Sequence, residues 1–288
     1  MTALNRREFL LAGAGLVVAA ACGSSKEDDT VKVTEPTDAK PKKTGPSPVN
    51  LVVASYVHVA GPTERVALAF LDAEGTSPVK PDGPVLITID GEAVTSELHA
   101  DGSLELPYLL VFHKFAKPGA SIVKARYQGT ETEAAIEVTD PAQAKAPFAG
   151  QPLLSVPSPT TTDTMGVDPI CTRDPACPLH EVSLDAALAE KRPVAVLFST
   201  PARCQSRLCG PVLDNLLAHR EAFADRVRFV HVEIYAARAG EALAPAVKAY
   251  GLTQEPFLFL AGPDGVIRER IDNAYDATEA RQALERLV

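Results

Sequence analysis

Pro193-Val194-Ala195-Val196-Leu197-Phe198-Ser199-Thr200-Pro201-Ala202-Arg203-Cys204-Gln205-Ser206-Arg207-Leu208-Cys209-Gly210-Pro211-Val212-Leu213-Asp214 decides how the C-terminal part of this chain folds. The unbroken apolar run Val194–Phe198 has the composition of a strand buried on both faces. Two cysteines follow in the turn, and a helix is predicted over roughly 211–219. A strand that hands a cysteine to a helix start sets sulfur beside unpaired backbone N–H groups, whose partial positive charge favours thiolate over thiol. Arg203 and Arg207 add charge nearby. The arrangement suits thiol–disulfide exchange. Within a regular helix, residues five apart point about 140° away from each other. Pairing of Cys204 with Cys209 therefore requires Cys204 to lie in the loop, or the helix to begin only near Gly210-Pro211, where proline suits a first helical position.

Working outward, Ser183 is predicted to cap a helix running to about Glu190. Arg228–Glu233 reads as another apolar strand, and Glu241–Tyr250 as a helix stopped by Gly251. Pro256–Leu260 and Val266–Ile271 make a hairpin around Gly262-Pro263-Asp264-Gly265. Asp276-Ala277-Thr278-Glu279 is a capping box for a last helix to Leu287.

Strand, cysteine turn, helix, strand, helix, proline-entered hairpin and helix together resemble the thioredoxin family, over about Val182 to Val288. Pro211-Val212-Leu213-Asp214 is similar to that family's kinked active-site helix. Tyr250-Gly251-Leu252 followed by Glu255-Pro256-Phe257 resembles the approach to its cis-proline, and Asp264-Gly265 the turn of its last hairpin. The resemblance implies an α/β thioredoxin-like domain, a mixed sheet flanked by helices, covering 169–288. It implies that Pro256 faces Cys204 and shapes the docking edge for a substrate chain. Cys204 would attack, Cys209 would resolve, and Arg203 would help to hold the thiolate. The chain departs from the family in two ways: four residues separate the cysteines instead of two, and Arg203 stands where the family has tryptophan.

The opposite end of the chain sets the compartment. Asn5-Arg6-Arg7-Glu8-Phe9-Leu10 is a twin-arginine export motif, with Arg6 and Arg7 as its signal pair. The apolar run Leu10–Ala21 is shorter than the ~20 residues of a membrane-spanning helix, so it reads as a signal peptide. Ala19-Ala20-Ala21-Cys22-Gly23 resembles a bacterial lipoprotein cleavage box, with Cys22 as the lipidated residue. Residues 1–22 are thus expected to be signal and lipobox, and 23–48 a Ser/Lys/Asp/Thr/Pro-rich disordered tether. The expected location is the outer face of the bacterial cytoplasmic membrane, in periplasm or at the cell surface, as in exported thioredoxin-like lipoproteins. With Cys22 lipidated, four of the five cysteines remain and three pairings are open. Nearest-neighbour pairing is the simplest: Cys171–Cys177 as a structural disulfide and Cys204–Cys209 as the second bridge. Cys171, Cys177 and His180 also offer soft-metal ligands, but His58, His99, His113, His219 and His231 show no ligand spacing. No four-ligand set is visible, and no metal or other cofactor is expected.

Between the tether and the α/β part, residues 49–140 carry short strand-like runs at Asn50–Tyr56, Arg65–Leu71, Val85–Asp90, Ser121–Tyr127 and Glu133–Thr139, separated by Gly/Pro/Asp turns. Their spacing predicts an all-β, immunoglobulin-like sandwich. The Phe115–Tyr127 stretch resembles the late hairpin of bacterial immunoglobulin-like domains. Residues 141–168 are rich in Pro, Ala and Thr and read as a linker. A net charge of −9 without a basic block excludes nucleic acid as an expected partner. Two functions stay open on the residues alone. One is a membrane-anchored oxidoreductase whose partners are exported protein thiols or disulfides, or a membrane redox protein. The other is a non-catalytic binding module in which both bridges are staples.

Overall fold

The computed structural model describes residues 48–238 and 242–288. The expected export signal, Cys22 and the expected tether up to residue 47 lie outside the described residues. Among the described residues no helix is long and apolar enough to cross a membrane.

Residues 49–139 form strands β1 (Val49–Val53), β2 (His58–Val59), β3 (Thr63–Asp72), β4 (Pro78–Val79), β5 (Leu86–Ile89), β6 (Glu92–Val94), β7 (Glu97–His99), β8 (Tyr108–Lys114), β9 (Gly119–Tyr127) and β10 (Thr130–Thr139). One sheet runs β1-β3-β8-β7, with β4 also on β3, and the other runs β2-β10-β9-β5-β6. Val66, Leu68 and Phe70 of the first sheet meet Val123, Ala125, Ile136 and Val138 of the second in one core, which makes a β-sandwich. Asp90-Gly91 and Gln128-Gly129 join their strands as two-residue turns with positive φ at both positions, the geometry that matches strand twist. β3 is buried on both faces. Its outward residues Ala67 and Ala69 pack with Tyr108, Leu110 and Ala274, so the sandwich rests directly on the C-terminal part.

That part comprises α1 (Leu184–Ala189), β11 (Val194–Ser199), α2 (Cys209–Phe223), β12 (Arg228–Glu233), α3 (Pro245–Ala249), β13 (Phe257–Ala261), β14 (Ile267–Asp272) and α4 (Ala277–Leu287). Its sheet order is β12-β11-β13-β14, with β12 parallel to β11 and β13 antiparallel to it. Strand alternation sorts the helices. Val194, Val196 and Phe198 face α1 and α3 through Leu184, Ala187, Ala246, Val247 and Tyr250. Ala195 and Leu197 face α2 and α4 through Val212, Leu213, Leu216, Ala280 and Leu284.

Helix ends differ from expectation where tertiary contacts intervene. Ser183 precedes α1, but its hydroxyl makes no cap bond. It accepts from Ser158 N (2.8 Å), while Ser158 Oγ accepts from Leu184 N (2.9 Å) and satisfies the helix in its place. The helix expected over 241–250 is confined, among the described residues, to Pro245–Ala249, because the residue before a proline is driven to extended backbone, as Ala244 is. At α4 half of the capping box forms. Asp276 Oδ1 accepts from Glu279 N (2.8 Å), but the Glu279 side chain is used elsewhere. Residues 141–168 have no helix or strand of their own, yet they are not a free connection. Leu153 N donates to Gly265 O (2.8 Å), Ile267 N to Gln151 O (2.9 Å), and Tyr250 Oη to Leu154 O (2.8 Å). Leu153 and Val167 are buried in the α/β core, because a proline-rich segment with apolar side chains can pack without pairing.

The sandwich is keyed to the α/β part by buried charge. Arg65 of β3 binds the Glu279 carboxylate through Nε and through Nη2 (2.7 Å to Oε2), and it also donates to the Ala274 carbonyl. Tyr108 Oη donates to the same carboxylate and accepts from Asp276 N (3.0 Å). Arg270 of β14 pairs with Glu64 (2.9 Å), and His99 Nδ1 lies 2.9 Å from Asp276 Oδ1. Gly102 (φ +69°) packs so closely that a Cβ there would collide with the Asn215 side chain of α2. Arg65→Met strands a buried carboxylate and is expected to cost about 3–5 kcal/mol in equilibrium urea unfolding, while Arg65→Met with Glu279→Met restores most of the loss. A single-variant cost under about 1 kcal/mol, the scale of an exposed pair, would contradict this role.

Candidate active site

β11 ends at Ser199 and α2 starts at Cys209, so Cys204 lies in the intervening loop. The loop curls on itself: Arg203 N and Cys204 N both donate to Thr200 O (3.1 and 3.0 Å), and Arg207 N donates to Cys204 O (3.2 Å). Arg207 takes φ +60°, a left-handed turn position. The expected obstacle of two cysteines on one helix is removed, since Cys204 belongs to the loop and Cys209 is the first helical residue. Leu208, just before the helix, packs against the sandwich-facing cluster of Ala54, Tyr108 and Ala274.

The two thiols are opposites. Cys204 is half-buried, with Sγ 3.1 Å from Ser206 Oγ. Cys209 is 0% exposed. The Cys209 thiol, donating to Cys204, is the strongest influence holding Cys204 down at about 5; the Ser206 hydroxyl and the backbone N–H groups of Cys209 and Leu208 reinforce it against burial. Burial, then the Cys204 charge, push Cys209 far above the ordinary thiol range. Both are free thiols, the dithiol form of the pair.

β13, whose Phe257 pairs with Phe198 near the exit of β11, is entered through Pro256, whose peptide bond with Glu255 is cis and whose carbonyl accepts from Asn273 N (2.9 Å). The Glu255 carboxyl is raised by burial first, then by the Cys204 charge and by Glu233. The sandwich reaches this same place. Tyr56, between β1 and β2, donates its hydroxyl to Glu255 O (3.1 Å), and its backbone N–H binds Asp272 Oδ1 (2.6 Å). Burial pushes the Tyr56 hydroxyl up to about 12, with Ser206 and the charges of Cys204 and Cys209 also acting on it. No sequence motif marks Tyr56. The Arg203 guanidinium sits over the Tyr235 ring at 4.1 Å and donates to Ala237 O (2.7 Å). The thiolate is held by backbone N–H groups and neighbouring side-chain donors because the loop wraps them around sulfur.

The second pair of cysteines has a different setting. Cys171 and Cys177 are free, and the bridge expected between them is not formed. Their sulfurs turn instead to two imidazoles. Cys177 Sγ lies 3.3 Å from His180 Nε2 and 3.3 Å from His231 Nδ1, and Cys171 Sγ lies 3.8 Å from His231 Nδ1. The Cys177 thiol first, then His180 and His231, draw Cys171 far below the ordinary range, while Cys177 is held up by the same contact and by burial. The absence of a four-ligand set, read from spacing, is corrected here: His231, on β12, joins residues 171–180 through tertiary contact alone. Thr172 links the two places, donating to Glu233 Oε2 through N (2.8 Å) and Oγ1 (3.0 Å) while accepting from Ala202 N (3.1 Å) of the Cys204 loop.

No protein-family model matches the chain. No curated protein matches it either. Among solved structures, a polysaccharide lyase is similar at 17% identity with a TM-score of 0.23, covering 32% of this chain and 12% of the lyase. The Lin-41 filamin domain is similar at 12% identity with a TM-score of 0.23, covering 33% of this chain and 98% of that domain. A titin M10–obscurin-like 1 immunoglobulin complex is similar at 19% identity and a TM-score of 0.19, covering 32% and 94%.

Because the Cys204 thiolate is lost only as pH falls through its folded value, iodoacetamide alkylation of Cys204 in the reduced chain is expected to be level near neutrality and to fall with a midpoint near pH 5. A midpoint near the ordinary thiol value of about 8.5 would show that the loop does not hold the thiolate.

Proposed function

We propose that the chain is an extracytoplasmic thiol–disulfide oxidoreductase built on a thioredoxin-type α/β domain and tethered through a lipid at Cys22 after twin-arginine export. The observation that carries the reading is the division of labour at the start of α2: a half-buried Cys204 held as thiolate beside a buried, protonated Cys209. The sheet order β12-β11-β13-β14, with β13 entered through Pro256 beside the cysteine loop, supports the fold assignment.

The Cys204 thiolate attacks one sulfur of a partner disulfide. The partner S–S bond breaks, a mixed disulfide forms, and the displaced partner sulfur leaves as a thiolate that takes a proton from water. Cys209 then loses its proton and attacks Cys204. The mixed bond breaks, the second partner sulfur leaves, and the chain holds a Cys204–Cys209 disulfide while the partner has gained two electrons. Glu255 stands within electrostatic reach of both sulfurs, and its raised carboxyl suits it to take the Cys209 proton. Turnover as a reductase needs an external dithiol to restore the pair; run backwards, the same steps oxidise a partner dithiol.

Cys209→Ser should accumulate a mixed disulfide on Cys204 when the reduced chain meets a disulfide-bonded protein from the same compartment. Cys204→Ser should give none, and the unsubstituted chain should release its adduct. Peptide mapping of the adduct is the measurement. An adduct-free Cys209→Ser variant, or one linked elsewhere than Cys204, would sink the reading.

A further inference from the structure

The geometry points to a closed metal site: Cys171, Cys177, His180 and His231 bind one tetrahedral, borderline-soft divalent cation of the Zn²⁺ class, apart from the Cys204–Cys209 pair.

The four ligand atoms lie within 4.8 Å of one another. A tetrahedron with Zn–S of about 2.3 Å and Zn–N of about 2.0–2.1 Å has N···N edges of about 3.3 Å and N···S edges of about 3.6 Å. Here His180 Nε2 and His231 Nδ1 are 3.1 Å apart. Three of the four nitrogen–sulfur separations, at 3.3, 3.3 and 3.8 Å, bracket the second value. Two sulfurs and two imidazole nitrogens in this shape match the donor set that selects zinc among common cations.

Burial and tautomer strengthen the assignment. The residues are 6%, 5%, 2% and 0% exposed, in chain order, so the cluster is closed to solvent, as structural sites are. His231 Nε2 lies 3.2 Å from the Ser199 carbonyl oxygen, which can only accept, and 2.8 Å from Ser199 Oγ. Nε2 therefore carries the proton, and in the neutral ring Nδ1 presents a lone pair into the cluster. This is the outer-shell arrangement that orients a metal-ligating histidine. Cys177 N also donates to Cys171 Sγ (3.4 Å), favouring a sulfur that carries negative charge. Converging lone pairs and sulfurs in an apolar core are costly without a cation at their centre. Bound metal would fasten the 171–180 segment to β12, and through Thr172 it would steady the loop that carries Cys204. The site does not depend on that loop's chemistry.

The test is titration of the full reduced chain with Co²⁺, followed by displacement with Zn²⁺ and metal counting. The expected result is one equivalent per chain, intense tetrahedral d–d bands and a sulfur-to-cobalt charge-transfer band. Both sets of bands should persist in a Cys204→Ser/Cys209→Ser variant. Ser199→Ala should weaken binding, up to about 10-fold, by removing the nearer of the two groups at His231 Nε2, and His231→Asn should weaken it further. Three results would overturn the proposal: an octahedral or sulfur-free spectrum, a signal lost with Cys204 and Cys209 instead, or a reduced chain that takes up no metal and readily forms a Cys171–Cys177 disulfide.

Discussion

The parallel register of β11 on β12, which sets Leu197 opposite His231 and Ser199 opposite Glu233, is the constraint on which both sulfur sites depend. β11 is buried along its whole length and sits between β12 and β13. Its exit therefore fixes several things together. Ser199 meets the His231 ring, and the Thr200 carbonyl collects the N–H groups that fold the Cys204 loop. Beyond it, Cys209 opens α2 against the same face of the sheet. A one-residue slip would exchange the two faces of the strand, turning Ser199 away from His231 and Leu197 away from α2. The many apolar residues packed on each face make such a slip prohibitive, so geometry at both sites is inherited from core packing.

The sandwich is a part of this arrangement and not a passenger. Arg65, Glu279 and Tyr108 form an ion-pair and hydroxyl cluster closed to water, in which removal of either charge alone leaves the other buried and unmatched. That cluster fixes β3 against α4. The chain just before β3 then has little choice of path, and Tyr56 is delivered to the Glu255 carbonyl beside the cysteine loop. If the proposed exchange with exported proteins holds, an incoming protein chain would meet a rim built from both parts. Specificity for partners would thus be shared between the sandwich and the α/β sheet, and a detached α/β part would present an incomplete edge.

The sequence carried the local elements well and the long-range ones poorly. Arg228–Glu233 and the hairpin around Asp264-Gly265 were readable because apolar runs, proline and glycine act over a few residues. β8 fell among none of the expected strands, since Tyr108-Leu109-Leu110-Val111 is a short apolar run with no periodicity to tell strand from helix. Ser183 carried the right signal for a cap, but Ser158, 25 residues earlier, took the role. Of the cysteine site, Cys204, Cys209 and Pro256 were visible as a pattern. Tyr56 was not, because nothing within a few residues of it announces a partner about 200 residues away. His231 was discounted for the same reason: its ligand-like position comes from strand register and not from spacing.

The two sulfur pairs differ in what surrounds them, and the chemistry proposed for each rests on that difference. Cys204 keeps access to solvent and gains its charge from donors that point at sulfur without closing over it, the condition for a nucleophile. Cys171 and Cys177 are buried with both imidazoles close to their sulfurs, where a cation would satisfy four donor atoms at once. In an oxidising compartment, unprotected thiols drift to disulfides. Coordination would withhold one pair from that fate while the other remains free to exchange. The same strand end would then carry one sulfur pair kept for structure and one kept for reaction, with the Thr172–Ala202 hydrogen bond between them.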